Sequence, residues 1–65
     1  MLKEKLKELR EHTGLKQVDF ARKVGCTTQH INNQEQGRSA VSFKTIEKYA
    51  KVFGFRVDLK LRIIK

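Results

Sequence analysis

The chain has 65 residues, which makes one small domain spanning 1–65 and leaves no room for a separate catalytic domain. Lys and Arg number 15 against 7 Asp and Glu, and the resulting charge of +8 points to a polyanionic partner: DNA, RNA or an anionic membrane surface. The lone cysteine, Cys26, excludes an intrachain disulfide and fits a reducing cytoplasm, and no apolar run reaches the length of a membrane span.

Residues 2–12 place Leu2, Leu6 and Leu9 at i, i+4 and i+7 among lysines and glutamates, the pattern of an amphipathic helix. The alternating charges of MLKEKLKELR lack the apolar stretch of a secretory signal. A membrane-surface role for this helix is disfavoured, because Glu4, Glu8 and Glu11 would be repelled by anionic lipid. Gly14 is the expected stop. A second helix is predicted over 17–24, with Phe20, Ala21 and Val24 on its buried side. Lys16 stands at its N-cap position and is a poor cap, but a helix start carrying Lys16 and Gln17 suits a phosphate.

Gly25 supplies the break, Cys26 is expected to point inward, and Thr27 is a good cap for a third helix over 28–36 that Gly37 ends. At 100° per residue Ile31 defines the inner side of this helix, with Glu35 near it. Gln29, Asn33 and Gln36 lie opposite, Asn32 flanks them, and Thr28 projects from the first turn. This outer face is almost all neutral amide, whereas the first helix fills its solvated face with Lys and Glu. Helix propensity does not account for that choice. Amide side chains do match the edge of adenine in a DNA major groove. The bland alternative is a merely polar face. His30, on the flank, is a further candidate for a phosphate contact.

Arg38, Ser39 and Ala40 form a loop, Ser42 caps a fourth helix over 42–53, and Phe43, Ile46, Tyr49, Ala50 and Phe53 follow its apolar stripe. After Gly54 the period changes. Phe55, Val57, Leu59, Leu61 and Ile63 alternate with Arg56, Asp58, Lys60 and Arg62, a strand signal over 55–63. A lone strand leaves backbone groups unpaired, so antiparallel pairing with the same strand of a second subunit is expected, centred on Leu59; the alternatives are a strand folded back on the chain's own helices or a continuing helix. Such a partner would also help a chain that, at this size, buries only roughly 60% of its unfolded surface.

QVDFARKVGCTTQHINNQEQG, residues 17–37, resembles the helix-turn-helix of the phage-repressor (Cro/XRE) family. The likeness rests on Phe20, Ala21, Val24, Gly25 and Ile31, and on Glu35-Gln36-Gly37 as the family's E-x-G. It extends over about residues 2–54. The resemblance implies a four-helix repressor-like domain, mainly α, with a C-terminal strand that looks like the dimerising strand of HipB-type antitoxins. It also implies that Thr28, Gln29 and Asn33 read bases; Asn32 and His30, on the flanks of that face, are further DNA-contact candidates by position. Gln17 matches a position that binds phosphate and buttresses Gln29. Gln36, Arg38 and Ser39 match a loop that contacts the DNA backbone, and Arg10 and Glu35 match a buried ion pair. Gln34 departs from the family by standing where an apolar residue is usual, Lys16 replaces a Ser or Thr cap, and Val41 replaces a common proline.

His12, His30 and Cys26 lack metal-ligand spacing, and no phosphate loop, nucleophile elbow or carboxylate pair stands out; no cofactor, metal or enzymatic activity is expected. The expected function is a homodimeric, sequence-specific DNA-binding regulator, a repressor acting on a near-palindromic operator in the cytoplasm, with no membrane partner. One alternative is an antitoxin that binds a toxin protein and represses its own operon. Another is a protein- or RNA-interaction module, although the scarcity of exposed aromatics argues against single-stranded RNA.

Overall fold

A computed structural model describes residues 2–60 and 62–64. Four helices come first: α1 (Leu2–Thr13), α2 (Gln17–Val24), α3 (Thr28–Gln36) and α4 (Phe43–Val52). Two short strands, β1 (Arg56–Val57) and β2 (Ile63–Ile64), follow as an antiparallel pair in which Arg56 faces Ile64 and Val57 faces Ile63. The fold is mainly α, as the periodicities predict.

Each helix buries the stripe its spacing defines. Leu6 and Leu9 of α1 are fully buried, and Leu2 packs at the edge of the same core. Phe20 is the centre of the molecule: its ring stacks on Phe53 at 5.3 Å and meets Tyr49 edge-on at 5.9 Å, both common geometries for aromatic pairs. Burying a side chain of that kind contributes roughly 1.5–3 kcal/mol. Ile31 of α3 and Ile46 and Ala50 of α4 complete the core with no exposed surface.

The breaks between helices are made by backbone geometry. At Gly25 φ is 80°, and the chain reverses so that Cys26 N–H donates to the Ala21 carbonyl at 2.8 Å. A side chain at such a φ is strained, so the glycine is a conformational requirement. Thr27 then caps α3, its hydroxyl accepting from His30 N–H at 3.0 Å, and Ser42 does the same for α4 through Thr45 N–H at 3.1 Å. Lys16 precedes α2 with no side-chain cap.

The C-terminal region corrects an expectation. The alternation over 55–63 reads as one strand, but the chain turns back on itself after Val57. The turn is made by a side chain: Asp58 accepts from the backbone N–H groups of Lys60 (3.0 Å) and Arg62 (2.9 Å) and from the Arg62 guanidinium (2.8 Å). Phe55, Val57 and Ile63, expected to form an intersubunit strand, pack against the chain's own core instead, with Val57 only 7% exposed. The reason is economical: a hairpin pairs backbone groups and covers an apolar face within one chain. Leu59, expected at the centre of the intersubunit register, lies in the turn and is 93% exposed. Leu61 lies outside the described residues.

Candidate nucleic-acid interface

The outer face of α3 presents Thr28, Gln29, His30 and Gln36 to solvent, with Asn32 and Asn33 partly covered. What holds this face is a polar spine behind it. Glu35, with 3% of its side chain exposed, receives Arg10 Nε at 2.7 Å and Arg10 Nη2 at 3.2 Å. The third arm of the guanidinium donates to the Leu15 carbonyl at 3.1 Å. This two-pronged contact is the strong geometry for Arg and carboxylate. The hydrogen bond to Glu35 raises the Arg10 pKa above its ordinary value, outweighing the opposing effect of burial. One ion pair therefore ties α1, the α1–α2 junction and α3 together.

Gln17 joins the same spine. Its amide donates to Glu35 Oε1 at 3.1 Å and to Asn32 Oδ1 at 3.3 Å. The resemblance implies that Gln17 buttresses Gln29; its amide is instead directed to Asn32 and Glu35, because a buried carboxylate is the stronger acceptor. Asn32 is thereby tied to α2. Lys16 is exposed at the start of α2. The first N–H groups of α2 receive no side-chain cap there, and such groups are the usual anion-binding element of a helix start.

A second set of bonds runs along the surface. Gln29 Nε2 donates to Asn33 Oδ1 at 3.2 Å, and Arg38 Nε donates to the same oxygen at 3.1 Å. The loop after α3 is fixed by its backbone: Arg38 N–H (2.9 Å) and Ser39 N–H (3.2 Å) both donate to the Asn33 carbonyl. Gln29, Asn33 and Arg38 are thus brought together, while Thr28, His30 and Gln36 stand apart from that chain of bonds.

Sequence reading missed one feature behind the interface. Gln34 is 4% exposed, and its carbonyl accepts from Tyr49 Oη at 3.2 Å; Tyr49 Oη also lies 3.4 Å from Cys26 Sγ. The polar residue at an apolar position is therefore satisfied by α4. Burial, followed by the Cys26 contact, pushes the Tyr49 hydroxyl up to about 12. The available signal was the pairing of two oddities in the apolar stripes, an amide at 34 and a hydroxyl at 49. Among the described residues, no three His, Cys, Asp or Glu side chains converge to hold a metal ion, and no helix is long and apolar enough to cross a membrane.

Two comparisons bear on this geometry. The chain is 39% identical over 57 residues to an uncharacterized HTH-type transcriptional regulator of Methanocaldococcus jannaschii, an alignment covering 88% of this chain and 86% of the relative. No solved structure matches the chain significantly. The helix-turn-helix family model matches residues 6–60, from the first buried leucine of α1 to the hairpin turn, and the chain belongs to that family.

Proposed function

We propose that this protein is a sequence-specific DNA-binding transcriptional regulator, a repressor that binds a near-palindromic operator as a homodimer. The observation that carries the reading is the amide face of α3, exposed in front and held from behind by Glu35, Arg10 and Gln17. A rigid helix with hydrogen-bonding side chains of fixed position is what reading base edges in the major groove requires. Thr28, Gln29 and Asn33 read bases, with Asn32 and His30 at the margin. Lys16 and the start of α2 on one side, and Gln36, Arg38 and Ser39 on the other, hold the phosphates. The net charge of +8 supplies the sequence-independent attraction. The Methanocaldococcus jannaschii relative, named as an HTH-type transcriptional regulator, supports the same class. The antitoxin alternative rested on an unpaired C-terminal strand; with that strand folded as a hairpin, no specific observation favours it.

Two-fold symmetry predicts half-sites about one helical turn apart, roughly 34 Å. Selection from a random duplex pool at moderate salt tests the proposal. An enriched, near-palindromic motif is expected. Gln29→Ala and Asn33→Ala should each weaken binding to that motif by on the order of 1–3 kcal/mol and bind unselected duplex almost as before. A pool that enriches no motif, or an equal loss on both duplexes, would reject the base-reading role.

A further inference from the structure

We infer that Arg38 determines which bases the α3 face selects by fixing the polarity of the two amides beside it, without itself needing to touch a base. The inference rests on the DNA-reading function proposed above and deepens it. A side-chain amide has a donor end and an acceptor end of nearly equal size, and in isolation can present either one. A guanidinium has five donors and no acceptor. Arg38 Nε lies 3.1 Å from the Asn33 side chain, so the atom facing it must be the carbonyl oxygen. Gln29 lies 3.2 Å from that same oxygen, so the atom it presents must be its nitrogen. One donor-only group thereby orients both amides in turn.

The position of Arg38 is not accidental to the loop. Gly37 adopts φ of 83°, its N–H donates to the Gln34 carbonyl at 3.3 Å, and Arg38 N–H donates to the Asn33 carbonyl at 2.9 Å. This turn folds the chain back so that residue 38 sits over residue 33. The glycine that ends the helix thus also delivers the guanidinium to Asn33.

The consequence is a defined pattern of free groups. Asn33 has its oxygen occupied twice and keeps only donors for DNA, so it selects a base acceptor such as guanine O6 or N7 or thymine O4. Gln29 has one N–H occupied and keeps its carbonyl oxygen and its second N–H. That is the pair adenine requires, an acceptor for N6–H and a donor for N7. The two residues therefore specify adenine next to an acceptor-bearing base. If the amides were free to rotate, the same face would accept other combinations.

The test compares wild type, Arg38→Lys and Arg38→Met in two measurements. In random-duplex selection, wild type enriches adenine at the position facing Gln29. Arg38→Lys, still donor-only, keeps that preference even where overall affinity falls. Arg38→Met relaxes it by about fivefold or more, since a well-made amide–adenine pair discriminates by about that much. A uniform loss of affinity in Arg38→Met with unchanged base preferences would overturn the inference, because a phosphate contact alone behaves that way. The second measurement needs no DNA. In NMR spectra of the free protein, the Gln29 side-chain amide protons shift and exchange faster with water in Arg38→Met but not in Arg38→Lys. Unchanged Gln29 signals in Arg38→Met would overturn the relay, whatever the DNA result. A wild-type chain that selects no sequence, yet shows the NMR response, would sink the DNA-reading function and the specificity claim with it while leaving the hydrogen-bond relay intact.

Discussion

Glu35 is the residue on which the interface depends most, because its carboxylate is almost fully withdrawn from water and survives only by being surrounded with donors. Arg10 supplies two of them and Gln17 a third. Arg10→Met should therefore destabilise the fold by about 3 kcal/mol, the usual cost of stranding one member of a buried pair. Arg10→Met combined with Glu35→Leu should recover much of that loss, since no charge is left stranded. Urea unfolding of the three proteins checks this; a single variant as stable as wild type would show that the pair is only a surface contact. Tyr49 offers a second test at this scale. The chain has one tyrosine and no tryptophan, so phenolate absorbance reports a single site. Its hydroxyl is pushed up to about 12 in the folded chain, chiefly by burial, against about 10 for an unfolded tyrosine. The unfolded state therefore loses its proton first. Stability from this group is complete below about pH 10 and is lost as pH rises towards 12. Absorbance titrations with and without denaturant should differ by that interval, and coincident midpoints would place the hydroxyl in water. The apolar stripes that bury Leu6, Leu9, Phe20, Ile31 and Ile46 are legible from spacing alone. The polar contacts behind α3 are not: Gln34 bonds to Tyr49, 15 residues away, Tyr49 in turn meets Cys26, 23 residues away, and no local pattern joins them.

At the scale of elements, the helices were readable because their ends carry their own chemistry. Thr27 and Ser42 are good caps and act as caps, while Lys16 is a poor one and makes no cap bond. The hairpin was not readable as a hairpin. Its turn contains no Gly, Pro or Asn, and the one turn-forming residue it does hold, Asp58, falls on the charged face of the alternation and so reads as part of a strand. The partners Val57 and Ile63 are also separated by an even number of positions, so the period-two pattern runs unbroken through the turn. The reversal rests on one carboxylate. The backbone N–H of Arg62, helped by its guanidinium, holds the Asp58 carboxyl below its usual range. A depressed folded pKa means that the contribution is present above the unfolded value, about 3.9, and is lost as pH falls through the folded value. The hairpin should therefore loosen below about pH 4, and Asp58→Ala should open it at neutral pH. Loss of NMR contacts between Val57 and Ile63, with those between α1 and α4 retained, is the expected signature. A hairpin that stays closed in Asp58→Ala would show that packing of Val57 and Ile63, not the carboxylate, makes the turn.

The whole molecule has an accessible surface of 4399 Å², close to the roughly 4,300 Å² that scaling gives for a folded monomer of this mass. With Val57 buried and Phe55 and Ile63 packed on the chain's own core, an interface between copies would use surface that the monomer exposes. Among the described residues, the exposed large apolar side chains are Val18 on α2 and, in the C-terminal part, Val52, Leu59 and Ile64. Leu59 is the sharpest of these, a leucine almost wholly in water at the hairpin tip. Homodimerisation through this end would bury it while leaving the amide face of α3 free for DNA in both copies. Leu59→Lys removes the apolar contact and adds like charges across a two-fold axis, yet touches nothing in the monomer core. Sedimentation at micromolar concentration should give a dimer for the wild type and a monomer of 7.6 kDa for Leu59→Lys, with unchanged helical circular dichroism. The monomeric variant should still bind a half-site through α3. It should lose the advantage of the second half-site, because avidity comes from holding two reading helices at one spacing. A wild type that sediments as a monomer, or a Leu59→Lys protein that remains dimeric, would move the interface away from the hairpin and require the operator spacing to be set elsewhere.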